Sequence, residues 1–174
     1  MRADGRFVAR VALFSALAYV LALASASFIP NVSLIFIVVF AAGAVYGLPY
    51  GITVGGVGEF LLTIFNPYGP ASLPITIAQI AAMMLVGALG ATLFRTQLIL
   101  TLVPRGFLIC GLLGLASGLT FQIILNLVSA WLYGPFWESL MAGLAFSLLT
   151  IVSNAVIFPV CYPILVKLSV RERR

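Results

Sequence analysis

The succession of apolar runs constrains this chain more than any other feature. Phe7–Ser27 is closed by Ile29-Pro30-Asn31, Val32–Tyr46 by Gly47-Leu48-Pro49-Tyr50-Gly51, and Ile52–Phe65 by the turn-rich segment Asn66–Leu73. Pro74–Phe94 leads into a connector flanked by Arg95 and Arg105, Gly106–Tyr133 ends at Gly134-Pro135, and Phe136–Leu168 precedes a basic tail. A helix needs about 20 apolar residues to cross the hydrocarbon of a bilayer. In that solvent the backbone satisfies itself best as helix. The second and third runs together hold about 34 residues, or about 50 Å of helix, too long for one crossing. Pro49 between two glycines is expected to break them apart. The pattern therefore predicts an all-α membrane protein of six transmembrane helices in a single domain, residues 1–174, with short second and third spans.

Composition excludes the other classes. The chain is 63% hydrophobic and 7% charged, with mean hydropathy +1.23; a soluble domain is about 25% charged. The net charge of +5 does not point to nucleic acid, because the basic residues fall in three groups. These are Arg2, Arg6 and Arg10; Arg95 and Arg105; and Lys167, Arg171, Arg173 and Arg174. Basic residues in short loops mark the cytoplasmic side. An even number of crossings puts all three groups there, with both termini inside, whereas five or seven would strand at least one outside. The N-terminal run has the look of a signal peptide but no separate cleavage site, and reads as a retained helix. Cys110 and Cys161 lie in apolar runs and read as buried spectator thiols. The chain has no His, no zinc motif and no phosphate-binding loop, so neither a metal, a cofactor nor ATP hydrolysis is expected.

Polar residues form single stripes on the helices. They are Gly55, Glu59, Thr63 and Asn66; Thr76, Gln79 and Met83; Gly118, Gln122, Asn126, Ser129 and Tyr133; and Ser139, Gly143, Ser147, Thr150 and Asn154. Such stripes face the bundle interior. They serve either interhelical hydrogen bonds, worth about 0.6 kcal/mol a pair, or a ligand. Asn66, Asn126 and Tyr133 fall on the outer side, and Asn154 nearer mid-membrane. Glu59 either contacts ligand or bonds a neighbouring helix in its neutral form. The outer loops add Asn31, Tyr68, Trp131 and Trp137, which mix amides and aromatic faces as a pocket for a flat polar ring would. For the two tryptophans an interfacial belt is an equal alternative. The candidate binding residues are thus Asn31, Glu59, Asn66, Tyr68, Gln79, Gln122, Asn126, Trp131, Trp137 and Asn154. No catalytic residue is expected. On the first run Ala12 and Ala16 share a face, as do Ala18, Ala22 and Ala26, and small residues four apart admit close helix approach. Gly43, Gly47, Gly51 and Gly55 are expected to pack the second span on the third and to make the turn between them.

Ala12-Leu-Phe-Ser-Ala16, Ile29-Pro-Asn-Val32, Gly43-Ala-Val-Tyr-Gly47, Tyr50-Gly51 and Phe65-Asn-Pro-Tyr-Gly-Pro70 carry a family resemblance along nearly the whole chain. The sequence resembles the substrate-binding S components of energy-coupling-factor (ECF) vitamin transporters. That resemblance implies a six-helix bundle in a prokaryotic cell membrane that binds a vitamin or vitamin precursor from outside. It implies delivery by toppling on a transmembrane T component driven by two cytoplasmic ATPases, so that the chain is a transport subunit of an ABC-type importer and not an enzyme. Ala12 and Ala16 match the family's docking motif for the T component. The pocket would lie at the outer ends of the later helices, under Pro30–Ser33 and Asn66–Leu73. Two other readings of the residues are a small multispan scaffold of the cell-wall elongation type, which predicts no organised pocket, and a small membrane enzyme resting on Glu59 and Glu138.

Overall fold

The computed structural model describes residues 4–29, 31–67, 69–94 and 105–172. Pro30, Tyr68 and most of the Arg95–Arg105 connector lie outside them. Six helices follow in order: α1 (Gly5–Phe28), α2 (Ile35–Tyr46), α3 (Leu48–Ile64), α4 (Leu73–Leu89), α5 (Arg105–Tyr133) and α6 (Phe136–Glu172). A π-helical turn, Gly90–Phe94, extends α4. No strand occurs among the described residues. Four helices are long and apolar enough to cross a membrane: α1, α4 with the start of its π turn, α5 and α6. Their outer faces carry large exposed apolar side chains, among them Leu13, Leu108, Leu148 and Val160. Such a surface suits lipid and not water, and in length and composition these are the helices of a membrane protein.

α2 is the axis of the molecule. It has only 12 residues, about 18 Å, and every residue from Ile35 to Ala44 is buried. A helix that is apolar on all sides belongs inside a bundle, and α2 packs against all five other helices. Phe40 meets Phe158 of α6 edge-on at 5.1 Å between ring centres. α5 and α6 form the most extensive pair. There Gly111, Gly114 and Gly118 bring α5 against the α6 backbone around Ile151–Ala155. α6 buries a single stripe, Ser147, Thr150, Asn154, Phe158, Tyr162, Leu165 and Ser169.

The break between α2 and α3 differs from expectation. It is made by Gly47 alone, at φ 100°, a left-handed backbone that favours glycine. Pro49 does not break the helix but lies in its first turn, where a missing N–H costs nothing. α3 therefore begins at Leu48 and not at Ile52. Pro159 and Pro163 likewise sit inside α6, which continues through them for 37 residues, about 55 Å. The glycines also have a partner that their spacing does not announce. Gly43 and Gly51 both meet the backbone of Gly87 on α4, and Gly55 meets that of Met83. Three helices thus touch backbone to backbone near one point.

The start of α1 and the end of α6 share one end of the bundle. The Arg10 guanidinium pairs with the Glu172 carboxylate and lies 4.5 Å from the centre of the Tyr46 ring, at the end of α2. Phe7 and Tyr50 pack there as well, 4.7 Å between ring centres. The amide-bearing stripes point to the opposite end.

Candidate functional site

At that opposite end a cavity of about 350 Å³ opens among all six helices, within the size range of small-molecule sites. Its lining follows from the stripes. α3 presents Glu59, α4 Gln79 and Met83, α5 Gln122 and Asn126, and α6 Gly143, Ser147 and Thr150. The α1–α2 connection contributes Asn31 and Ser33, and Phe36 and Phe121 form an apolar wall, edge to face at 5.2 Å. Each inward stripe repeats every three or four residues, so one helix brings its polar groups to one wall.

Hydrogen bonds hold these walls. Thr63 Oγ1 donates to Gln79 Oε1 at 3.2 Å, tying α3 to α4 and turning the Gln79 amide nitrogen into a potential donor for something else. Asn126 Nδ2 donates to Ser147 Oγ at 2.7 Å, and Ser147 Oγ donates to the Gly143 carbonyl at 2.7 Å. A glycine at 143 leaves Asn126 this place, because a Cβ there would stand 2.6 Å from Asn126 Oδ1 and push it aside. The α1–α2 connection is fastened at two points. Thr150 Oγ1 donates to the Asn31 carbonyl at 2.9 Å, and Leu34 N–H donates to Ser25 Oγ at 3.2 Å. Asn31 takes a left-handed backbone, φ 64°, which asparagine tolerates better than most residues. On the outer rim Ser72 and Tyr133 share a 2.6 Å hydrogen bond, so the α3–α4 connection is tied to the end of α5.

Glu59 is the one acidic side chain on the described lining of the cavity. It is 3% exposed, and its Oε2 is enclosed with no hydrogen-bond partner in the protein. Such a group is costly in an apolar bundle unless something meets it. The described lining of the cavity has no lysine or arginine. Glu138 is exposed at the start of α6 and does not line the cavity, so the two carboxylates do not converge. Among the described residues no cluster of His, Cys, Asp or Glu could hold a metal ion.

Of the candidate residues, Asn31, Glu59, Gln79, Gln122 and Asn126 come together on this cavity. Asn66 does not reach it; it lines a smaller cleft of about 80 Å³ with Ala26, Leu62 and Pro67. Asn154 is fully buried below the cavity, where its Nδ2 donates to the Thr150 carbonyl at 2.8 Å. Trp131 and Trp137 are 79% and 68% exposed and do not line the cavity, in keeping with an interfacial belt. Tyr68 falls outside the described residues. Sequence reasoning passed over Phe36 and Phe121, because a phenylalanine that lines a cavity looks like any other in an apolar helix. Ser147 and Thr150 were visible as stripe members; their part in holding Asn126 and Asn31 was not. Ala12 and Ala16 are exposed on the outside of α1, whereas Ala18 and Ala22 face inward. Comparison with family models, with curated proteins and with solved structures finds no match.

Proposed function

We propose that this protein is the substrate-capture subunit of an ECF-type importer, which binds a small vitamin-like molecule from outside and hands it on across the membrane. The observation that carries the reading is the cavity: five polar side chains of the α3, α4 and α5 stripes and the α1–α2 connection converge at one end of an apolar bundle. Amides offer both donors and acceptors, which suits the edge of a heterocycle. A cavity fastened by Thr150 and Ser25 is largely pre-formed, and pre-organisation lowers the ordering cost of capturing a scarce ligand.

In this reading the chain crosses six times with both termini in the cytoplasm of a prokaryotic cell. The shortness of α2 is no obstacle, because its flanks and ends are covered by protein and not by lipid. Arg6, Arg10, Lys167 and Arg171 then share the inner side, remote from the cavity, in keeping with the basic-residue rule. The exposed face around Ala12 and Ala16 is available to a T component, with two ATPases supplying the energy. A scaffold would need no organised polar cavity, and an enzyme would need convergent catalytic groups, which Glu59 without Glu138 supports thinly.

The experiment is mass spectrometry of the small molecules retained by the purified protein, followed by their affinity for Asn126→Ala and Gln79→Ala. Loss of one buried hydrogen bond costs about 1–3 kcal/mol, or roughly five- to hundredfold in Kd. Unchanged affinity in two folded variants would remove the ligand from this cavity and with it the reading.

A further inference from the structure

We propose that the cavity takes an organic cation, a compact amine or a positively charged heteroaromatic ring, and that Glu59 is its counter-ion. The inference rests on the reading of this cavity as the ligand site and narrows it to one charge class.

Three observations carry it. Glu59 is almost wholly buried, faces the cavity, and leaves an enclosed carboxylate oxygen without a partner in the protein. Of the other buried polar groups on the lining, Ser147 bonds Gly143 and Thr150 bonds Asn31, and the Ser33 hydroxyl, also enclosed without a partner, carries no charge. Arg6, Arg10, Lys167 and Arg171 cannot answer Glu59, because they lie at the other end of the bundle, where Arg10 already pairs with Glu172. A buried carboxylate is retained at such cost when a charged partner completes it. The apolar side of the cavity fits the same class. Phe36 and Phe121 present two differently oriented rings, and a ring face attracts a cation. A neutral ligand could offer the carboxylate a hydrogen bond but would leave its charge uncompensated, and an anion would be repelled by it.

The test uses pairs of probes matched in shape and different in charge. One pair is choline and its uncharged isostere 3,3-dimethylbutan-1-ol. The other is 1-methylnicotinamide and nicotinamide. Each is titrated into the purified full-length protein and into Glu59→Gln, with binding read by calorimetry and by the rise in Tm. The expected result is that at least one cation binds at least about tenfold more tightly than its neutral partner, and that Glu59→Gln abolishes the preference. Since the comparison within the wild-type protein needs no variant, a folding defect in Glu59→Gln would not spare the proposal. Cations that bind no better than their neutral partners, or a preference that survives Glu59→Gln, overturn it. If neutral probes bind, Asn126→Ala weakens them and Glu59→Gln does not, the cavity stands as the ligand site and only the charge class falls. If no probe binds and the purified protein retains no small molecule, both fall.

Discussion

Replacing Gly87 with alanine is the sharpest test of how this bundle is held. The new Cβ would fall on the Gly51 carbonyl and stand 2.9 Å from the Gly51 Cα. Carbon atoms pack favourably at about 3.5–4.0 Å, so α3 and α4 must part by roughly 1 Å. Neither obstacle is a flexible side chain that can swing aside; both are backbone. Overpacking of this kind costs about 1–3 kcal/mol, and the rigid partner puts Gly87→Ala at the upper end. The separation would also stretch the 3.2 Å bond from Thr63 to Gln79, worth about 0.6 kcal/mol more. At about 2–4 °C per kcal/mol for a chain of this size, Tm should fall by roughly 6–12 °C. Gly56→Ala is the control, because its Cβ would meet only flexible side chains, Met84 at 3.4 and 3.5 Å and Ile80 at 3.9 Å. That is ordinary contact, and its Tm should hold or rise slightly. The assay is thermal unfolding of the detergent-solubilised proteins side by side. A Gly87→Ala protein that melts within about 2 °C of the wild type would refute the argument that the α3–α4 spacing is set by backbone contact.

Other outcomes follow from the same structure. In a background with Cys110→Ala and Cys161→Ala, single cysteines at Ser72 and Gly134 should react with an impermeant thiol reagent added outside intact cells, and one at Asp4 should not; labelling at Asp4 would overturn the six-crossing topology. Ala12→Leu and Ala16→Leu change an exposed face, so uptake should fall while ligand binding and Tm hold; unchanged uptake would remove α1 as the coupling surface. Glu172→Ala breaks the ion pair with Arg10, whose partners are about a third exposed at 35% and 34%. It should cost less than about 1 kcal/mol, with Tm shifting by no more than about 4 °C, and a larger loss would mean that the pair clasps the two ends of the chain. Gly143→Ala should displace the Asn126 side chain and weaken ligand binding by roughly fivefold or more in a titration, an effect that would be absent if Asn126 did not serve the site.

The sequence by itself determined the solvent and the helices. Apolar runs broken by turn residues leave helix as the state that satisfies the backbone, and the stripe from Glu59 to Thr63 or from Ser147 to Asn154 tells each helix which side faces in. Both are local properties, readable from spacing alone. Three matters required the tertiary structure. The first is where the second span ends: Gly47 and Pro49 are both breakers in isolation, and only the chain path shows that Gly47 takes the turn while Pro49 starts the next helix. The second is the partner of each small residue. Spacing suggests that Gly43 and Gly51 pack on something, but that Gly87 of α4 is the backbone they meet depends on how α4 folds back. The third is depth. A stripe gives a direction around the helix axis and not a position along its neighbours, so Asn126 and Asn154 look alike in sequence. One reaches the cavity while the other is enclosed beneath it on Thr150. Trp131 and Trp137 stay off the cavity lining for the same reason. Residues next to a turn are near every helix in sequence terms, and only the crossing of α5 and α6 decides which of them look into the bundle.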